Sequence, residues 1–123
     1  MEYAGFEAWL DRLFSRETPD GVVALSFNLY EGADVGSWSA ELIGTSEFDS
    51  ESDGWASSEV FTARDCVLDW EEASDLLRIQ SRLRDYALRY LREGRYGARM
   101  KAYRAVALGF VTGELLLLHR SEP

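Results

Sequence analysis

The segment Asp49-Ser50-Glu51-Ser52-Asp53-Gly54 sets three carboxylates at alternate positions ahead of a glycine, the way an EF-hand loop offers oxygen ligands to calcium. The acid that closes such a loop stands six residues after the glycine, where this chain has Val60, and Glu59 falls one residue early. A strand-like stretch, not a helix, leads into it. A solvated acidic loop is therefore the better reading, and no metal ligands are assigned. His119 is the only histidine and Cys66 the only cysteine, which removes multi-histidine and multi-cysteine metal sites. Cys66 is followed by Val67 and Leu68, and a lone thiol in that setting reads as a small core residue rather than a nucleophile based on His119. Glu41, Glu71 and Glu72 supply carboxylates, but acid–base work needs convergent geometry that spacing alone does not provide. Gly94, Gly97, Gly109 and Gly113 form neither a Walker nor a dinucleotide pattern, and no serine sits in a nucleophile elbow. These residues predict binding without catalysis and without a cofactor.

Charge points the same way. The chain has 123 residues and a formal net charge of −9. Residues 41–75 contain eleven acids against Arg64 alone, and Phe48, Trp55, Phe61 and Trp70 are threaded among them. From Leu76 onward ten basic residues face four acids. A net negative surface repels nucleic acid and anionic membranes, whose affinity comes from neutralised phosphates, so neither is an expected partner. The arginines after Leu76 recur at helical spacing with Asp85 and Glu93 among them, as on a solvated helix face. No apolar run approaches the roughly 20 residues of a membrane span. Met1-Glu2-Tyr3-Ala4 lacks the basic start and apolar stretch of a signal peptide, and the unpaired cysteine suits a reducing compartment, so a cytoplasmic location is expected.

The elements that position these residues follow from periodicity. Tyr3, Phe6, Leu10, Leu13 and Phe14 recur at helical spacing and predict a helix over 2–16, ended by Thr18-Pro19-Asp20-Gly21. Val23, Leu25, Phe27 and Leu29 alternate with smaller residues, as do Trp38, Ala40 and Leu42, which predicts a hairpin. Residues 45–58 read as an exposed loop and 59–63 as a short strand. Asp69 with Glu72 forms a capping-box signature that predicts the start of a long helix ending at Gly94. A helical turn over 98–103 and a final hairpin, 105–111 with 114–119, complete the chain, Gly113 being expected to supply a positive φ. The sum is one α+β domain over 1–123: an antiparallel sheet of four to five strands with an N-terminal helix and a long central helix packed on it.

The strings Trp38-Ser39-Ala40-Glu41-Leu42-Ile43-Gly44, Asp53-Gly54-Trp55-Ala56 and Gly109-Phe110-Val111-Thr112-Gly113-Glu114 resemble those of a group of small acidic bacterial proteins. Some proteins of this kind are immunity proteins that neutralise toxins. The resemblance implies a non-enzymatic binder that occludes the active site of a basic toxin. Charge steers such an encounter and an aromatic anchors it. The surface expected to bind the partner comprises Glu47, Asp49, Glu51, Asp53, Trp55 and Glu59, with Trp55 either folding back over the sheet or standing as the anchor. A rival arrangement is a small-ligand or catalytic pocket between sheet and long helix, lined by Tyr86, Tyr90, Tyr103 and His119. A third is a homodimer in which the acidic loop of one copy meets the arginine face of the other.

Overall fold

The computed structural model describes residues 1–121. Helix α1 (Tyr3–Phe14) leads into strands β1 (Ala24–Glu31) and β2 (Ser37–Thr45). A loop with one 3-10 turn (Asp53–Ser57) connects to the short strands β3 (Glu59–Thr62) and β4 (Leu68–Glu71). Helices α2 (Leu76–Glu93) and α3 (Gly97–Lys101) then precede the hairpin of β5 (Ala105–Phe110) and β6 (Leu116–Arg120).

The six strands form one sheet in the order β3-β2-β1-β5-β6, with β4 also on β2. Strand β2 serves two partners along one edge: Ser37–Ala40 faces β4 and Ile43–Thr45 faces β3. All pairs are antiparallel except β1 with β5, which run parallel from Ala24↔Ala105 to Leu29↔Phe110. The expected α+β architecture with two principal helices is present, but the sheet is mixed and has six strands. The cause is chain order: a parallel pair needs a crossover, and everything between β1 and β5 forms it.

One sheet face carries the main core. Leu25, Phe27 and Leu29 of β1, Trp38, Ala40 and Leu42 of β2, and Val106, Leu108 and Phe110 of β5 point to it, as period two dictates. Helix α1 covers that face with Phe6, Trp9, Leu10, Leu13 and Phe14, and α2 with Ile79, Leu83, Ala87, Tyr90 and Leu91. Two polar tips in this core find partners: Trp9 Nε1 donates to the Cys66 carbonyl at 2.8 Å, and the Tyr90 hydroxyl donates to Asp11 at 2.7 Å, tying α2 to α1. Burial, then the bond to Asp11, pushes the Tyr90 hydroxyl pKa well above its ordinary value.

Two local expectations are corrected. Asp69 lies on β4 and caps nothing; the N-cap of α2 is Asp75, whose carboxylate accepts the Arg78 amide at 2.9 Å. The strand wins because β2 offers Leu68–Glu71 a complete ladder from Ala40 back to Ser37. Gly113 does not take a positive φ; among the described residues only Gly21 and Gly36 do. Position 36 favours glycine twice over, since its φ is +84° and a Cβ there would sit 3.3 Å from the Glu72 carbonyl oxygen.

The opposite sheet face is partly roofed by the loop after β2. Trp55 is 4% exposed and packs on Ala24, Ala105 and Ala107, flanked by Phe48 in an edge-to-face pair with centroids 5.2 Å apart. Ladder-like bonds from Ser46 N to the Ser58 carbonyl (3.0 Å) and from Ser58 N to the Trp55 carbonyl (3.0 Å) close the loop. Trp55→Ala is expected to lower unfolding free energy by about 3 kcal/mol, as large-to-small core changes do. Hydrogen exchange at Ser46 and Ser58 should accelerate well before that of α2; unchanged protection at both amides would show that the tryptophan does not hold the loop.

Candidate functional site

The roofed face divides into two parts. Toward the start of β1 lie the alanines beneath Trp55. Toward its end the same row of β1 becomes Ser26, Asn28 and Tyr30, and β2 presents Glu41 opposite Asn28. Glu41 is a carboxylate with only 4% of its surface exposed, and it is held by three groups. The Tyr30 hydroxyl donates to Oε1, Asn28 Nδ2 donates weakly to the same oxygen at 3.5 Å, and Arg64 Nε lies 3.3 Å from Oε2. Ser26 completes the chain by donating to Asn28 Oδ1 at 3.2 Å. Arg64 also pairs with Glu59 at 3.0 Å, so one guanidinium straddles two carboxylates. Both acids raise the pKa of Arg64, Glu41 first. Burial, then the bond to Glu41, pushes Tyr30 up to about 12, which keeps its hydroxyl a donor throughout the physiological range.

A groove of about 400 Å³ opens over this network. Its floor includes Asn28, Tyr30 and Gly109, one wall carries Asp53 and Glu59, and the other is the β5–β6 turn with Val111, Gly113 and Leu115. Gly109 is required by the turn rather than by the groove, since a Cβ there would fall 2.6 Å from the Glu114 carbonyl.

The residues expected at a partner surface are distributed as follows. Glu47, Asp49, Glu51 and Asp53 are exposed on the loop, and among the described residues none of the four is in an ion pair. Glu47 accepts the Ser58 hydroxyl at 2.7 Å and Asp49 accepts the Glu51 amide at 2.9 Å, which stiffens the loop from within. Asp53 and Glu59 are brought together at the groove. Glu59 is exposed but shared with Arg64. Trp55 is not an exposed anchor: it is buried against the alanines, and the alternative in which it folds back over the sheet is the one adopted. No three His, Cys, Asp or Glu side chains among the described residues are placed to hold a metal ion.

The four residues of the rival pocket do not converge. Tyr86 donates to the Met1 carbonyl at 2.8 Å, and Tyr90 is fully buried against Asp11. Tyr103 lines a separate surface groove with Arg99 and Arg104, and His119 bonds the Lys101 carbonyl at 3.0 Å. The space between sheet and α2 is filled by the main core.

Tyr30, Asn28 and Arg64 are members of the site that spacing did not single out. The available signal was the alternation itself: with Leu25, Phe27 and Leu29 facing one side, Ser26, Asn28 and Tyr30 must share the other with Glu41. No protein-family model, no curated protein and no solved structure matches the chain. No helix among the described residues is long and apolar enough to cross a membrane.

Tyr30→Phe removes a donor from a buried carboxylate and is expected to lower stability at neutral pH by about 1 kcal/mol, at the low end because Tyr30 keeps some solvent contact. The same stabilisation is lost at high pH. With its folded pKa near 12 and an unfolded value of 10, Tyr30 stabilises fully below pH 10 and loses that contribution as pH rises toward 12. Urea unfolding of Tyr30→Phe between pH 8 and pH 12 should therefore show a shallower alkaline decline than the parent, with the two curves converging as pH rises.

Proposed function

We propose that this chain is a non-enzymatic protein-binding module, an immunity protein of bacterial type, that neutralises a basic toxin through the acidic loop. The observation that carries the reading is the exposed quartet Glu47, Asp49, Glu51 and Asp53, in no ion pair among the described residues, on a loop anchored to the sheet by Phe48 and Trp55. Charge on a floppy loop loses ordering entropy when it binds; charge on a braced loop has already lost it. Toxins that cleave nucleic acid are basic where they hold phosphate, so a fixed array of carboxylates can imitate the substrate's charge and steer a fast encounter. The buried Trp55 changes how the aromatic contributes. It supports the acidic surface from beneath instead of entering the partner.

The test is binding kinetics against the protein encoded by the adjacent gene, measured by surface plasmon resonance at low and high salt. Glu51→Lys combined with Asp49→Lys should slow association about tenfold at low ionic strength, within the range that steering spans, while unfolding curves stay unchanged. Trp55→Ala should act on dissociation, by releasing the loop. If association is insensitive both to salt and to the charge reversals, the acidic loop is not the interface.

A further inference from the structure

The groove beside the loop has a more specific occupant than negative charge alone selects. We infer that it receives the side chain of one arginine from the protein partner, with the guanidinium held between Asp53 and Glu59 over Tyr30; this rests on the reading of the chain as a binder of basic proteins. The cavity carries the inference. At about 400 Å³ it is an open slot large enough for one long side chain, and no group among the described residues fills it.

Three features match arginine. Asp53, on the 3-10 turn, and Glu59, on β3, approach the groove from separate elements, and Asp53 has no cation of its own among the described residues. A planar fork of donors can satisfy two such carboxylates at once, which a point-charge ammonium does less well. The neighbourhood already handles this chemistry, because Arg64 bridges Glu41 and Glu59 through Nε and Nη2 at 3.3 and 3.0 Å. Three carboxylates (Glu41, Asp53, Glu59) then stand against that one guanidinium, leaving the site short of positive charge. Finally, Tyr30 offers an aromatic ring for a cation, and Leu115 offers apolar surface for a methylene stem.

Gly113 makes the inference testable without disturbing the fold. Its φ is ordinary, and an added Cβ would meet only Phe110 atoms at 3.7 Å, so Gly113→Phe can fill the groove mouth while every carboxylate remains. The probe is N-acetylarginine methylamide titrated at millimolar concentration into the isotope-labelled full chain. Amide shifts are expected at Ser57, Gly109 and Gly113 and at the Asn28 side chain. The lysine analogue should give less than half the response, and both Gly113→Phe and Asp53→Asn/Glu59→Gln should abolish it. Neutralising Glu47, Asp49 and Glu51 together should leave it in place. Shifts confined to the Glu47–Glu51 stretch, an equal response to lysine, or full binding by Gly113→Phe would each overturn the inference. Partner kinetics separate it from the broader reading. If loop reversal slows the partner but Gly113→Phe does not weaken it, the acidic platform stands and the groove fails; if the probe enters the groove while loop reversal leaves the partner unaffected, the platform fails.

Discussion

The parallel pairing of β1 with β5 is the constraint on which the rest of the structure depends. Two antiparallel strands can be joined by a tight turn, but parallel neighbours cannot, so the chain between them has to leave the sheet and return. Here that excursion holds β2, the acidic loop, β3, β4, α2 and α3. Strand β1 ends up flanked on both edges, and both of its faces have to be accounted for. Its odd residues meet α1 and α2 in the main core, while its even residues face the side that the loop carrying Trp55 roofs in part.

That second face explains the composition around it. At the start of β1 and β5 its residues are Ala24, Ala105 and Ala107, small enough for an indole to pack against the strands. Trp55 closes over them and so fixes where the acidic loop runs. Farther along, the roof ends and the same row turns polar. Burying Glu41 there without partners would be strongly unfavourable, and Tyr30, Asn28 and Arg64 offset the loss of water. The groove lies at the boundary, where the roof stops and the polar network begins. Apolar closure on one side and the acids of the loop on the other are therefore consequences of one packing decision.

The elements legible in the sequence were those whose signal is local. Helix α1 and strands β1, β2 and β5 show clean periodicity because each has one face on the same core. Residues 68–75 mislead locally because Asp69-Trp70-Glu71-Glu72 satisfies a capping pattern, whereas the real N-cap, Asp75, has Arg78 at its third position and so lacks the reciprocal acid. Only the distant strand β2 decides between the two. The parallel pair was illegible for a similar reason, since both of its strands look alike whichever way they run. Trp55 could be placed over the sheet in principle, but its contacts Ala105 and Ala107 lie half the chain away and say nothing by themselves. Within the site, the exposed acids were read directly from composition; Tyr30, Asn28 and Arg64 depended on register.

The arginine-rich second half takes on a different meaning once the pairs are known. Arg82 bonds Glu72 and holds its carboxyl below the ordinary range, Arg89 does the same for Glu93, and Arg78 and Arg16 lie against Asp75 and Asp65. Ion pairs this exposed contribute little to stability. Each pairs an acid outside the loop, whereas Glu47, Asp49, Glu51 and Asp53 are in no ion pair among the described residues. A chain with the same net charge spread evenly would repel anions everywhere and orient nothing. Here four acids without ion-pair partners among the described residues are gathered on one loop whose course Trp55 fixes over the sheet, so part of the charge is concentrated in one place.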